Sequence, residues 1–258
     1  MIAIRSEREI ALLRKANEIV AEVHTALAAM IKPGVKTREL DAAAVEMMRE
    51  RGAASAFLGY RGYPAATCIS VDEVVVHGIP GDRALRAGEI VSIDIGVCYK
   101  GYYGDAAVTV PCGPVDAARR RLLKVTDRAL TQAICAARSG NYVEDIARAI
   151  EAVCNPAGMG IVRDFVGHGI GAAMHEEPQI PNFVTGERGP RLRSGMVLAI
   201  EPMVNLGTHK VRVLRDGWTA VTADGKPSAH FEHSVVVRED GGEILSGSPT
   251  LIWGRADD

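Results

Sequence analysis

The most informative segment of the chain spans residues 86–110 and reads RAGEIVSIDIGVCYKGYYGDAAVTV. Apolar residues alternate with polar or small ones from Ile90 to Val97, and a second alternation runs from Tyr103 to Val110. A period of two residues is typical of a β-strand that buries one face. We therefore predict a β-hairpin whose turn lies near Tyr99–Gly101.

Each strand of this hairpin carries one aspartate. If the loop has an even number of residues, Asp94 and Asp105 lie on the same face, either opposite each other or one diagonal step apart. A three-residue loop without a bulge would break that arrangement. Two carboxylates at such a distance repel, and a divalent cation or a shared proton relieves the repulsion.

Composition restricts the class of protein. The 258 residues are 47% hydrophobic and 24% charged, with a formal net charge of −2. This balance predicts a real core and no nucleic-acid specificity. The N-terminus lacks a signal-peptide core, and no apolar run approaches the ~18 residues of a membrane span. Five scattered cysteines without a CxxC motif indicate reduced thiols and a cytoplasmic protein.

Periodicity and capping signals predict helices and strands in a regular order. A capping box formed by Ser6 and Glu9 opens the first helix. We predict helices at residues 6–31, 37–51, 116–137 and 143–153. We predict strands at residues 67–71, 74–76, 196–203, 218–222 and 228–237. Residues 167–172 are rich in glycine, residues 182–190 read as a polar loop, and residues 254–258 are expected to fray.

The order of these elements occurs twice, which predicts an internal repeat within one catalytic domain, residues 1–258. The halves are about 6–111 and 114–238. The segment RAGEIVSID at 86–94 is matched by RSGMVLAIE at 193–201, and HGI at 77–79 recurs at 168–170. DAAVTV at 105–110 is echoed by EHSVVV at 232–237. Chance similarity of short amphipathic segments is the alternative explanation.

If the two halves pack about a pseudo-two-fold axis, four carboxylates converge: Asp94, Asp105, Glu201 and Glu232. Such hard oxygen ligands bind one or two divalent cations. His168, within the sequence GHGIG, is the best candidate for a nitrogen ligand. His175 is close in sequence and is a candidate proton donor, and His77 is the counterpart of His168 in the first half.

A hydroxide bridging two ions is a nucleophile at neutral pH, because metal binding lowers the pKa of water to about 7. Few Lys or Arg residues surround the predicted site, which favours an amide over a phosphate ester as substrate. Apolar side chains offer pocket walls: Phe57, Tyr60, Tyr63, Met174 and Trp218. The chain has no HExxH, Walker or Gly-x-Ser-x-Gly motif, which argues against zincins, P-loop enzymes and α/β-hydrolases.

These residues resemble a known family. Asp94, Asp105, His168, Glu201 and Glu232, in that order, are similar to the ligand set of type I methionine aminopeptidases and the wider pita-bread fold. The most specific segments are GYRGYPAATCISVDEVVVHGIP, GHGIG, MHEEPQIPN, LAIEPM and HFEHSVVV. The resemblance implies an α+β fold of two pseudo-symmetric halves, with a central curved antiparallel sheet covered by helices. It also implies an exopeptidase that removes the initiator methionine.

The resemblance further implies a role for each metal ligand. Asp94 and Asp105 would hold one ion, and His168 and Glu201 would hold the other. Asp105 and Glu232 would bridge the two ions, and Glu201 would help to deprotonate the bridging water. The ions would be two per chain, with Co, Mn, Fe and Zn all compatible with these ligands.

Substrate-binding roles follow from the same resemblance. His175 would stabilise the tetrahedral intermediate, and His77 would contact the substrate amide. The methionine pocket would involve His77 together with Tyr60, Tyr63, Cys68 and Trp218. Two positions bordering this pocket depart from the best-known bacterial pattern, since Phe57 replaces a cysteine and Met174 replaces a phenylalanine.

The implied substrates are nascent peptides that begin with Met followed by a small residue, which makes the ribosome a candidate partner. We expect a monomer of the short form, without an N-terminal extension. Two alternatives remain at this level. One is an Xaa-Pro aminopeptidase or prolidase of the same fold, and the other is a non-catalytic pita-bread binding protein.

Overall fold

The computed structural model describes residues 2–247, and within them four α-helices form. They are α1 (Glu7–Met30), α2 (Thr37–Glu50), α3 (Ala117–Ala136) and α4 (Val143–Cys154). Each predicted helix boundary lies within one residue of the observed one. The capping box predicted for α1 is confirmed, because Ser6 and Glu9 accept hydrogen bonds from each other's backbone N–H. None of the helices in residues 2–247 is long and apolar enough to cross a membrane.

Fifteen short strands and one 3₁₀ turn, Tyr60–Gly62, complete the described elements. The strands of the first half are β1 (Ala54–Ser55), β2 (Cys68–Val71), β3 (Val74–Val76), β4 (Ile90–Tyr99) and β5 (Tyr102–Pro111). The second half contributes β6 (Gly160–Ile161), β7 (Gly167–Gly169), β8 (Glu176–Ile180), β9 (Val197–Ile200), β10 (Met203–Asn205), β11 (Val211–Val213), β12 (Ala220–Thr222), β13 (Ser228–His230), β14 (Glu232–Val237) and β15 (Gly242–Ile244).

One antiparallel sheet of nine strands joins the two halves. Its order is β1-β4-β5-β14-β9-β7-β8, with β2 also paired to β4 and β15 to β14. Two three-stranded sheets, β13-β10-β6 and β11-β12-β3, lie beside it. The predicted α+β class with a central antiparallel sheet is confirmed. The two halves meet within this sheet where β5 pairs with β14.

The central hairpin has a two-residue turn. Strands β4 and β5 pair from Ile90 opposite Pro111 to Tyr99 opposite Tyr102. The turn residues Lys100 and Gly101 have φ values of 49° and 80°, as a type I′ turn requires. Asp94 is therefore opposite Ala107 and Asp105 is opposite Gly96, one diagonal step apart. The prediction that both aspartates share one face is confirmed.

The two faces of this hairpin have different surroundings. Val91, Ile93, Ile95 and Val97 are buried in the main core together with residues of α1. At Gly104 the α1 backbone approaches so closely that a Cβ would lie 2.8 Å from the carbonyl carbon of Ala16. Glycine is required there because any side chain would push the helix away from the sheet. The helices thus cover one face, and the aspartates occupy the other.

Two strands that we predicted as continuous are each interrupted, so their predicted continuity is wrong. The strand predicted at 196–203 stops at Ile200, because Pro202 has no N–H to donate to a ladder. The strand predicted at 228–237 is interrupted at Phe231, whose N–H donates to the carbonyl of Pro202 over 3.4 Å. The two interruptions face each other. At each of them the chain passes between the nine-stranded sheet, which contains β9 and β14, and the three-stranded sheet, which contains β10 and β13.

Other differences are smaller. The glycine-rich segment predicted at 167–172 begins with a strand, β7, which pairs with β8 and β9. The strand predicted at 218–222 starts at Ala220. Residues 182–190 form no helix or strand, as predicted. The expected fraying of residues 254–258 lies outside the described residues. The internal repeat stays a prediction, although β9 pairs with β14 antiparallel as β4 pairs with β5.

Candidate metal and substrate site

Strand pairing brings the four predicted carboxylates together. Asp94 lies on β4 and Asp105 on the adjacent β5. Glu232 begins β14 and lies opposite Ala107 of β5, the same residue that faces Asp94. Glu201 follows the last residue of β9, which also pairs with β14. All four side chains line one cavity, together with His168 of β7.

Three of these side chains approach especially closely. Asp105, His168 and Glu232 each offer one ligand atom, and these atoms lie within 4.8 Å of one another. Nε2 of His168 is 3.6 Å from Oε1 of Glu201 and 3.8 Å from Oδ2 of Asp105. Such distances suit ligand atoms arranged around a cation more than direct hydrogen bonds, which would be about 2.9 Å long.

Burial makes this group of carboxylates electrostatically unfavourable by itself. Only 3% of Asp105 and 2% of Glu232 is exposed. Burial raises the pKa of both carboxyls well above their ordinary values, and neighbouring carboxylates add to the shift. Burial also raises the pKa of Asp94 to about 7. A buried charge without a partner is costly, so the group favours a cation.

The lysines and arginines of residues 2–247 supply no such cation to the group. Within residues 2–247, none of the four carboxylates forms an ion pair with either residue type. One oxygen each of Asp94, Asp105 and Glu232 is buried without a hydrogen-bond partner. Hard oxygen donors left unpaired around one point fit divalent metal ions. The residues present therefore suit the metal that the sequence predicts.

The ring of His168 is held in the orientation that a metal ligand needs. Its Nδ1 lies 3.0 Å from the carbonyl oxygen of Gly169. Because a carbonyl only accepts, Nδ1 carries the proton and Nε2 presents its lone pair to the cavity. A backbone carbonyl that fixes the tautomer in this way is the usual support of a ligating histidine.

Two further histidines stand beside the carboxylates. The ring of His175 is 4.2 Å from that of His168 and 5.2 Å from that of Tyr60, measured between centroids. Burial and the neighbouring His168 lower the pKa of His175 to about 4. His77 has a left-handed backbone, with φ of 58°, and burial lowers its pKa as well. Both imidazoles are neutral at pH 7.

Aromatic rings form one wall of the cavity. The hydroxyl of Tyr63 lies 3.1 and 3.2 Å from the carbonyl oxygens of Thr67 and Gly78 and shares its one proton between them, which fixes the ring. Trp218 packs edge-on against Tyr63, with 5.1 Å between centroids. Phe57 lies on the sheet, so that a Cβ on Gly96 would come within 2.4 Å of its ring.

The structure places every residue that we predicted for the site around the same cavity. The metal-ligand candidates are Asp94, Asp105, His168, Glu201 and Glu232, and the others are Phe57, Tyr60, Tyr63, Cys68, His77, Met174, His175 and Trp218. Their chemical roles stay predictions.

Four residues of the site were not predicted from the sequence. Arg61 also lines the cavity, and Phe165 packs edge-on against His77, with 5.3 Å between centroids. Nδ2 of Asn182 donates to the backbone carbonyl of Glu201 over 3.1 Å. Nε2 of His230 is 3.5 Å from Oε2 of Glu201. The period of two between positions 230 and 232 was a usable signal for His230, whereas the others depend on tertiary contacts.

Comparison with protein families agrees with this geometry. Residues 11–239 match the model of metallopeptidase family M24. The chain is 45% identical to methionine aminopeptidase 1 of Bacillus subtilis over 246 residues, which cover 95% of this chain and 99% of that protein. It is 46% identical to the methionine aminopeptidase of Clostridium perfringens over the same length and the same shares.

Solved structures give the same picture. A methionine aminopeptidase from Thermotoga maritima superposes with a TM-score of 0.94 at 42% identity, covering 96% of this chain and all of that one. A prolidase from Pyrococcus furiosus superposes with a TM-score of 0.77 at 24% identity. It shares the fold, but this chain covers only 65% of its length. The similarity to the aminopeptidases is thus closer in sequence, structure and extent.

Proposed function

The chain belongs to metallopeptidase family M24 and is a metal-dependent aminopeptidase that removes N-terminal methionine, and we propose that two divalent ions serve this hydrolysis. The observation that carries the proposal is the group of four carboxylates and His168 around one cavity, unpaired with lysine or arginine in residues 2–247. Two of the carboxylates, Asp105 and Glu232, are buried. Co, Mn, Fe and Zn all accept oxygen and imidazole ligands of this kind.

The five ligands divide between the two ions. Asp94 and Asp105 would hold one ion, His168 and Glu201 would hold the other, and Asp105 and Glu232 would serve both. The close approach of Asp105, His168 and Glu232, within 4.8 Å, supports the shared positions. When bound, such ions lower the pKa of a coordinated water so that it can attack a peptide carbonyl at neutral pH.

The protein's own groups move the protons and hold the substrate. Glu201 accepts the proton of the attacking water, since its carboxylate faces the cavity beside His168. His175 is neutral and donates an N–H to the carbonyl oxygen, where negative charge develops. His77 contacts the substrate amide, and Phe165 and Trp218 pack edge-on against its ring.

The apolar wall accepts the methionine side chain. Tyr60, Tyr63, Cys68 and Trp218 line the cavity beside His77, and Phe57 and Met174 complete the wall. A thioether packs well against aromatic rings, and each sulfur–aromatic contact contributes about 0.3–1.5 kcal/mol. Following the family resemblance, we propose that the second residue of the substrate, after methionine, is small.

The cellular setting belongs to the same proposal. The substrates are nascent peptides, met at or near the ribosome, and the protein acts as a monomer in the cytoplasm. All five cysteines are free, which suits a reducing compartment. Among the described residues the large exposed apolar side chains, such as Val45, Leu58 and Val213, are scattered along the chain. Sedimentation of the purified protein tests the monomer.

Metal-dependent peptide hydrolysis tests the proposal directly. Protein stripped with a chelator should be inactive, and Mn²⁺, Co²⁺ or Fe²⁺ should restore release of methionine from Met-Ala-Ser. An Xaa-Pro dipeptide is the matched substrate for the prolidase alternative, and it should be cleaved far more slowly. Cleavage of that dipeptide alone would favour a prolidase. Inactivity with every metal and both substrates would favour a non-catalytic binding protein.

A further inference from the structure

His230 is a buried histidine that none of the roles above uses. Only 2% of it is exposed, and its Nε2 is buried without a hydrogen-bond partner. A buried polar atom without a partner costs free energy, so its presence here calls for a role at the site. Oε2 of Glu201 lies 3.5 Å from this nitrogen.

Glu201 thus lies between two imidazoles, and the Nε2 atoms that face it differ in whether they carry a proton. His168 faces Oε1 with the lone pair of its Nε2, because its Nδ1 proton is donated to Gly169. A carboxylate that ligates a cation is an acceptor only, so a nitrogen that faces its second oxygen must bring an N–H. His230 meets this requirement in the tautomer that carries the proton on Nε2.

The backbone of His230 is fixed by a dedicated buried network. The hydroxyl of Thr109 accepts from His230 N–H at 2.9 Å and donates to the His230 carbonyl at 2.8 Å. Ser92 lies 2.8 Å from the same hydroxyl and must be the donor, because Thr109 has already used its only proton. Ser92 and Thr109 are cross-strand partners on β4 and β5. The central hairpin therefore sets the position of His230.

We propose that His230 is a positioning residue, whose Nε2–H holds Oε2 of Glu201 and so orients this carboxylate toward the metal and the attacking water. His230 is not part of the close group formed by Asp105, His168 and Glu232, and it acts behind Glu201. This inference rests on the proposed two-ion function. Mutation of a residue that hydrogen-bonds a metal ligand usually lowers metal affinity or activity by about 10–100-fold.

The test compares His230→Leu, which removes the donor, with His230→Gln, whose amide keeps an N–H at similar reach. Divalent affinity is measured by titration calorimetry with Mn²⁺, and coordination by the visible spectrum of the Co²⁺ form. His230→Leu should weaken Mn²⁺ binding and lower kcat, each by about 10-fold or more, with KM for Met-Ala-Ser nearly unchanged. His230→Gln should recover most of both losses and keep the wild-type Co²⁺ spectrum.

Each other outcome has a definite meaning. Wild-type affinity and kcat in His230→Leu would overturn the inference and leave the proposed function intact. An altered Co²⁺ spectrum in His230→Gln would overturn it too, because His230 would then be a ligand. Failure of the wild type to bind Mn²⁺ would overturn the proposed function itself.

A second pair of variants covers the case in which His230→Leu does not fold. Thr109→Val removes the hydroxyl that anchors the His230 backbone, whereas Thr109→Ser keeps it. Thr109→Val should weaken Mn²⁺ binding severalfold, and Thr109→Ser should not. Equal Mn²⁺ affinities in the two folded variants would contradict the positioning role.

Discussion

The two halves of the chain bring their carboxylates to the site over very different distances in sequence. Asp94 and Asp105 are 11 positions apart on paired strands joined by a two-residue turn. Glu201 and Glu232 are 31 positions apart, and β10 to β13 lie between them. In the first half local register sets the geometry. In the second half the geometry depends on where the chain leaves one sheet for another.

This difference suggests a division of labour. The hairpin carries two of the proposed ligands, Asp94 and Asp105, and, through Ser92 and Thr109, also supports His230 of the other half. The second half carries the proposed base, Glu201, at the interruption before Pro202. A residue outside a regular strand is freer to adopt the orientation that the chemistry needs. Variants in each half should therefore fail in different ways.

The largest expected effect is on the second half. Glu201→Gln removes the proposed base while keeping size, so kcat should fall by at least about 10³-fold. Circular dichroism should show an unchanged fold. Glu177→Gln is the matched control, since Glu177 is an exposed carboxylate on β8, and its kcat should stay normal. A near-normal kcat in Glu201→Gln would mean that the base is another residue.

In the first half, replacing Asp94 should have opposite effects on the stability of the metal-free and the metal-loaded protein. Because the pKa of Asp94 is raised to about 7, its folded state binds the proton more tightly than the unfolded state, whose value is 3.8. Metal-free protein therefore loses stability as pH rises between these values, on the order of 4 kcal/mol in all. Asp94→Asn should make the chelator-treated protein more stable at pH 8 and the Mn²⁺-loaded protein less stable.

Urea unfolding with and without Mn²⁺ measures this reversal. Glu232→Gln in the second half should change stability in the same directions, because burial raises the pKa of Glu232 as well. Such agreement would show that both halves share the electrostatic cost of the site. Metal-free Asp94→Asn that is less stable than the wild type at pH 8 would contradict the account.

A smaller effect is expected beneath the hairpin, at His24 of α1. This side chain is fully buried, its Nε2 lies 3.0 Å from the carbonyl of Ile93, and burial lowers its pKa to about 4 from 6.5. The unfolded chain therefore takes up a proton first as pH falls, and stability is lost between pH 6.5 and 4. Between pH 7 and 5 the loss is about 2 kcal/mol.

His24→Gln should remove that part of the pH dependence. The measurement is urea unfolding of metal-free protein at pH 7 and pH 5. His209→Gln, at a partly exposed histidine of the second half, is the control and should keep the wild-type slope. An unchanged slope in His24→Gln would mean that His24 does not become protonated on acid unfolding.

The smallest effect concerns the pocket. Trp218→Leu shortens the aromatic wall that Tyr63 and His77 share. Loss of about 1 kcal/mol of apolar contact should raise KM for Met-Ala-Ser roughly fivefold, with kcat nearly unchanged. Steady-state kinetics measure both constants. A fall in kcat with constant KM would place Trp218 at the reacting bond instead of in the pocket.

The same contrast explains what could be read from the sequence. The four helices and the diagonal placement of Asp94 and Asp105 follow from periodicity, capping and turn chemistry, which act over a few residues. The breaks at Pro202 and Phe231 were missed, because apolar strands on either side of a sheet change look continuous in sequence. Asn182 and Phe165 were missed because only tertiary packing brings them to Glu201 and His77.

The central claim is that ligands from both halves form one two-ion site. Calorimetric titration of metal-free protein with Mn²⁺ tests it most directly. We predict that the wild type binds two ions per chain. Asp94→Asn and His168→Gln, one variant from each half, should each lose one of these ions, either the tighter or the weaker. Two ions bound with wild-type affinity in either variant, or none in the wild type, would contradict the account.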